Sequence, residues 1–406
     1  MQLLTLFTRV PYTLANKQQY EDILSNLEPD KISSSLAQGY SDNLIKGVAS
    51  VLKNDDDLTY QIKANTTRFA YYKAYKVSSL LNEVQQQYKG KDKEIKDLSY
   101  AILNTFNRYQ ASEYNTTISR CRTAKQWQQF TSDPINNQLF PNIRWIPSRS
   151  ANPREAHKPF YNKVWAKNDP FWLDNQPGAL WNCKCDWEQT SQPVTAGNPT
   201  NNISQPGLRG NPAITGKIFS DDASYFKVGN AKQRKQTEII CQSSARNLLQ
   251  KKAKNHPLLQ KETSCTINNK TYVVKFRDIS IKEYAQKMIG DKNYWLKIAI
   301  LECMPEYIKN AKYVKTENVD LSHNTGRTLR LKKKLKNFHY FLSNLPNGSS
   351  VTIEIAETKT GDFYLYTMVE EHEEHEEHKR EKVRQHSPGT EPNAMSDFFH
   401  TAKLQQ

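Results

Sequence analysis

The sequence predicts a multidomain protein of mixed class. An N-terminal helical region leads into a small irregular Cys/His module, then a linker, then a C-terminal α+β domain with an antiparallel sheet. Three observations predict it. From about Lys17 to Phe130, apolar side chains recur at helical spacing with almost no glycine. At Asp133–Pro134 the composition turns to Pro, Asn and Trp with little periodicity. Alternation of apolar and polar residues, the mark of strands, is concentrated late, in TYVVKFR and VTIEIAETKTGDFYLYTMV. The boundaries that follow are 1–130, 131–188, 189–216, 217–370 and a charged tail, 371–406.

In the first region Phe69, Tyr72, Val77, Leu80, Leu81 and Val84 share one helix face, and Leu98, Ala101, Ile102, Thr105, Phe106 and Tyr109 share another. KGKDKE, residues 89 to 94, reads as the loop of a helical hairpin. The module 131–188 ends in WNCKCDWE, where Cys183 and Cys185 lie one residue apart after a turn at Pro177–Gly178. Thiolates and imidazole nitrogen are good zinc ligands, and an irregular module with little core can be stapled by a metal. Cys183, Cys185 and His157 are therefore candidate ligands of a structural zinc, weighed against two packed, reduced cysteines. Residues 189–216 have linker composition and should make few contacts, leaving two independent units.

The third region opens with a helix in KQTEIICQSSARNLLQKKAK. TYVVKFR is a strand with Tyr272, Val274 and Phe276 on one side, and IKEYAQKMIGDKNYWLKIAILECMPEYIKNA is helical with a break at Gly290–Asp291. The last element is a β-hairpin: Val351, Ile353 and Ile355 face one way, Gly361 turns, and Phe363, Leu365 and Thr367 alternate with Tyr364, Tyr366 and Met368. Metal-independent RNA cleavage needs a base, an acid and cations around one phosphate. Lysines and Arg330 run directly into Phe-His-Tyr-Phe at 338–341, so His339, Tyr366 and a cation from 330 to 336 are expected to line one concave surface. The plainer reading is a structural histidine beside a solvated basic face. In the tail, EEHEEHEEH places His372, His375 and His378 three apart, more in keeping with a charged helix or a disordered tail than with a metal site.

The chain has 406 residues and a net charge of +15, from 57 Lys and Arg against 42 Asp and Glu. That balance favours a polyanionic partner. Six scattered cysteines exclude a disulfide scaffold and suit a reducing cytoplasm. No secretory signal or membrane span is read.

The run RWIPSRSANPREAHKPFYNKVWAKNDPFWLDNQPGALWNCKCDW resembles the Mu protein F-like phage head morphogenesis domain. The matching pieces are Arg154 and His157, Asp169 to Trp172, Pro177 and Gly178, and Asn182 to Cys185, with Lys184 where arginine is usual. Ala151-Asn152-Pro153-Arg154 stands where the family has Asp-x-Arg before the histidine. GLRGNPAITGKIFSDDASYF resembles the segment that often follows this domain. The resemblance implies a minor head protein inside the procapsid near the portal, with portal and capsid proteins and packaged DNA as partners and no membrane. It also implies a place in the virion, and in the bacterial cytoplasm during assembly and after ejection.

The C-terminal layout, with upstream helices, FHYF, an NG turn before Val-Thr-Ile and a closing GDFYLYT, is similar to barnase/EndoU/colicin-D/RelE-like nuclease domains. That likeness implies a metal-independent ribonuclease with His339, Tyr366 and Thr367 as site residues, Lys334 and Arg330 as cationic support, and an immunity protein as a further partner. The alternatives are a non-catalytic domain binding DNA or capsid protein, and a toxin of other chemistry such as ADP-ribosyl transfer, for which Glu354 and Glu357 lack the expected context.

Overall fold

A computed structural model describes residues 17–29, 31–197, 203–322 and 326–370. The histidine-rich tail therefore lies outside the described residues. Twelve helices occur among them: α1 Lys17–Ser25, α2 Ser34–Val51, α3 Asp57–Gln87, α4 Asp92–Thr131, α5 Pro134–Leu139, α6 Phe171–Asp174, α7 Pro212–Thr215, α8 Ala231–Lys252, α9 Asp278–Lys287, α10 Tyr294–Ala299, α11 Met304–Asn310 and α12 Gly326–Lys332. The strands are β1 Asn142–Ile146, β2 Val164–Ala166, β3 Asp186–Thr190, β4 Glu262–Ile267, β5 Lys270–Lys275, β6 Lys312–Asn318, β7 Leu335–Asn344, β8 Ser350–Thr358 and β9 Phe363–Glu370.

The helices start where side chains cap the free N–H groups. Asp56 accepts from Thr59 N at 2.8 Å to open α3, and Asn230 with Gln233 forms a capping box at α8. The expected hairpin is α3 and α4, joined through Gly90 at φ +84°. On α3 the predicted face is buried as read. On α4 it is shifted, because Ala101 is exposed and Leu103 buried, so the apolar stripe runs through Ile102, Leu103 and Phe106.

Farther along α4 the buried stripe turns polar. Thr116, Ser119, Arg120, Thr123 and Gln126 recur at three- and four-residue spacing and bond the module 131–188. Arg120 is fully buried and sends its guanidinium to Leu208 O at 2.9 Å, Gly210 O at 2.8 Å and Gly178 O at 3.4 Å. Burial pushes its pKa down to about 9, which leaves it charged at neutral pH. Gly178, at φ +93°, is required here: a Cβ would meet Arg120 Cγ at 2.9 Å.

This packing overturns the linker expectation for much of 189–216. Thr190 ends β3, and from Ile203 the chain is laid against the module. Leu208 is buried, Gln205 N donates to Ala179 O, and Gln176 donates to Gly210 O at 2.6 Å. Linker composition was misleading because a few apolar side chains, Leu208 foremost, suffice once backbone carbonyls are bound by Arg120 and Gln176. Nor are the two halves separate. The apolar core runs from α2–α4 through Phe219, stacked on Phe69 at 3.6 Å, into α8–α11 and one face of the C-terminal sheet. A buried Lys73–Glu113 pair at 2.6 Å, with Tyr225 donating to Glu113 at 2.9 Å, ties α3, α4 and the downstream chain together.

The small sheet is antiparallel in the order β2-β1-β3, and the larger is β4-β5-β9-β8-β7-β6. The larger sheet is mixed rather than antiparallel, since β5 and β9 pair in parallel through Val274–Phe363 and Lys275–Tyr364. The β4–β5 hairpin turns on Asn268 and Asn269, both at positive φ.

Replacing Arg120 by methionine should lower stability by about 3 kcal/mol, because it leaves buried carbonyls without donors. Urea denaturation reads the loss. Limited proteolysis should then open the chain between 191 and 216 sooner than in the wild type.

Candidate functional site

Two clusters of reactive side chains follow from this fold. The first closes the module. The small sheet and its aromatic packing (Trp145, Trp165, Phe171, Trp172, Trp187) hold the His157 turn against Cys183 and Cys185. His157 Nδ1 lies 3.3 Å from Cys183 Sγ and 3.4 Å from Cys185 Sγ, and the three donor atoms fall within 4.8 Å of one another. A tetrahedral zinc with arms of ~2.3 Å to sulfur and ~2.0 Å to nitrogen would span sulfur–nitrogen edges of roughly 3.5 Å. The donor set therefore fits a metal ion.

The electrostatics agree. A hydrogen bond from the Cys185 thiol, with further help from His157 and the Cys185 N–H, holds the Cys183 thiol well below the usual range in spite of burial. Cys185 is raised by that same bond and by burial. Tyr161 places its hydroxyl against Cys185 and has no aligned hydrogen-bond partner among the described residues. When bound, a zinc ion would add folding energy by drawing the His157 turn and the Cys-x-Cys segment together. Arg154, the other half of the Arg-x-x-His motif, donates to Trp181 O at 2.9 Å and pins the same turn from outside.

The second cluster lies on the large sheet and differs from the expected one. His339 and Tyr366 are on opposite faces. A bulge in the β8–β9 pairing opposes Ile355 to Leu365 but Glu354 to Thr367. Phe363, Leu365 and Met368 consequently join the main core, while Tyr364 and Tyr366 join a separate cluster with Leu335, Phe338 and Ala356. The strict alternation read from the hairpin slips by one residue at Tyr366. Tyr366 packs on Phe338 at 4.8 Å under the Lys287 ammonium, and burial raises its phenol pKa. Thr367 is fully buried with its hydroxyl unbonded among the described residues. Arg330 and Lys334 are exposed.

His339, 4% exposed, belongs to the opposite face, where its ring stacks on Phe363 at 5.3 Å and Phe363 in turn meets Tyr272 at 4.5 Å. Its Nδ1 lies 2.7 Å from the Thr316 hydroxyl on β6, and its Nε2 lies 3.3 Å from Glu357 Oε2 on β8. The second contact is an ion-pair distance rather than an aligned hydrogen bond. Glu357 is bound by Asn337 at 2.6 Å and by Lys336 at 3.0 Å. Burial alone would raise this carboxyl, but those donors bring it below its usual range. Burial lowers the His339 pKa despite Glu357, so the imidazole is neutral near pH 7. Of the predicted cations, Lys336 is the one bound to the carboxylate beside His339.

Thr316 and Asn337 were not read from the sequence, and Glu357 was weighed there only for ADP-ribosyl transfer. A signal for Glu357 was present: it continues the 351, 353, 355 series and so puts a carboxylate in an apolar slot. Compared with known proteins, the chain matches no protein-family model, no curated protein and no solved structure. Among the described residues, no helix is long and apolar enough to cross a membrane.

Two outcomes are expected. Purified chain should carry about one zinc, and Cys185→Ser should lose it together with several degrees of melting temperature, read by metal analysis and thermal denaturation. For His339, the folded state binds its proton less readily than the unfolded state. Its contribution to stability is therefore complete above about 6.5, falls as pH drops below that value, and levels off under the lowered folded value. The difference in denaturation midpoint between wild type and His339→Gln should vary with pH in that sense.

Proposed function

We propose that this protein is a phage minor head protein whose C-terminal domain is a metal-independent ribonuclease-like effector. The observation that carries the effector reading is the His339 imidazole set between the exposed Thr316 hydroxyl and the held Glu357 carboxylate, with Lys336 on that carboxylate. A neutral imidazole can take a proton from a 2′-hydroxyl, Glu357 stabilises the imidazolium that results, and lysines offset phosphate charge. Tyr272, half-buried and packed on the Phe363 ring that separates it from His339, is the aromatic side chain nearby that suits a stacked base. Tyr366 and Thr367, on the far face, have no part in this centre.

The head-protein reading rests on the resemblance over roughly residues 100 to 190, carried by the motif pieces from Arg154 to Cys185. It is supported by the way those motif pieces assemble. Arg154, His157, Gly178 and Asn182 to Cys185 meet in one knot clamped along α4. In this reading the partners are portal and capsid proteins, packaged DNA, RNA as substrate and an immunity protein. The protein works inside the procapsid and, after ejection, in the bacterial cytoplasm.

The full chain expressed in a bacterium should arrest growth and fragment RNA, and His339→Ala should abolish both while keeping the far-UV circular dichroism of the wild type. Purified wild-type chain that leaves RNA intact, with chelator or with added divalent metal, would move this surface to a binding role without turnover.

A further inference from the structure

We infer that Thr316 is the catalytic residue through which the site meets its substrate, and that the substrate's proton reaches His339 by way of the Thr316 hydroxyl. The inference rests on the ribonuclease reading above. His339 is buried, and both ring nitrogens face protein atoms, so an RNA strand cannot reach the imidazole directly. Thr316 is exposed on β6, an end strand of the described sheet, and its hydroxyl is 2.7 Å from Nδ1. It is the outward end of the group.

The direction of the hydrogen bonds follows from which atoms can only accept. An ionised carboxylate has no proton to give, so Glu357 Oε2 requires the imidazole proton on Nε2. Nδ1 then presents a lone pair and the Thr316 hydroxyl must donate to it. Tyr313 Oη, 2.9 Å from Thr316 Oγ1, supplies a donor to the oxygen whose proton is already committed. Asn337 and Lys336 donate to Glu357 from the other end. The two hydrogen bonds run inward, from Tyr313 to Thr316 and from Thr316 to His339, whose Nε2 faces the Glu357 carboxylate at ion-pair distance. Tyr313, Asn337 and Glu357 are positioning residues.

In the reaction, the 2′-hydroxyl passes its proton to Thr316 Oγ as Thr316 passes its own to His339 Nδ1. The 2′-oxygen forms a bond to phosphorus and the bond from phosphorus to the 5′-oxygen breaks. The 5′-oxygen takes a proton from water, and the hydroxide left behind recovers the proton held on the imidazolium. The products are a 2′,3′-cyclic phosphate and a 5′-hydroxyl, with the protein unchanged.

The test uses the full chain with a mixed-sequence single-stranded RNA oligonucleotide. Thr316→Ala should lower kcat on the order of 100-fold with KM little changed, and Thr316→Ser should restore most of the rate. Nitrogen-15 NMR of the imidazole, which needs no substrate, should find the proton of His339 on Nε2 and show the Nδ1 resonance moving when Thr316 becomes alanine. Wild-type chain that cuts RNA while Thr316→Ala cuts equally well would overturn the role of Thr316 and spare the ribonuclease reading. Wild-type chain that cuts no RNA overturns both. A His339 proton on Nδ1 reverses the direction of the bond and removes the relay whatever the RNA assay gives.

Discussion

One buried guanidinium organises the middle of this chain. Arg120 sits two turns beyond Glu113 on the same long helix, and among the described residues its hydrogen-bond partners are carbonyl oxygens and no carboxylate. A planar donor group with several N–H vectors suits this arrangement, because it can satisfy backbone from two segments that have few large side chains of their own. The Pro-Gly turn and the 207–210 segment are both aligned on it. Once Gly178 and Asn182 are fixed on α4, Cys183 and Cys185 are aimed at His157. The candidate metal centre therefore depends on an arginine that contributes no ligand.

The same helix joins the two ends of the molecule. Its first half buries an apolar stripe of Ile102, Leu103 and Phe106 and completes a bundle with α2 and α3. Around Glu113 it becomes a bracket for charge, with Lys73 and Tyr225 converging on one carboxylate over the Tyr40 ring. Removing one partner of such a pair would cost several kcal/mol, since the other would be left charged in a dry interior. From there Phe219 and Tyr225 carry the packing into α8 and α10, where Trp295 donates to Glu238 and Glu238 is bound by Arg68 and Tyr72 of α3. The sheet that bears His339 is thus built onto the helical region.

Much of this was legible in the sequence, and the rest was not for identifiable reasons. Helical spacing found α3, α4 and α8, and alternation found β5, β8 and β9. The Cys-x-Cys and His157 were brought together as expected. The polar stripe of α4 was not readable, because Thr116, Ser119, Thr123 and Gln126 have the composition of a solvent face, and only a partner rich in free backbone groups gives them another use. The packing of 203–216 was hidden for the matching reason. Within the hairpin, a single bulge reversed the sides of Thr367 and Met368, and period-two reading has no means of seeing an extra residue. His339 was found as a residue, but its setting was assembled from β6, β7 and β8, strands separated by loops and a helix.

All six cysteines are free thiols. With no covalent loop anywhere, the polypeptide is topologically a plain string: any passage narrower than the fold can admit it end first, with nothing to reduce. The continuous core gives that string a mechanical character. Pulling out one end does not peel away a spare domain, because the bundle, the knot and the sheet share contacts along α3 and α4. Resistance would come as a single large yield and then fall away, and the Cys/His knot, whose donors come from two turns of one short module, could close again only after α4 had re-formed behind it.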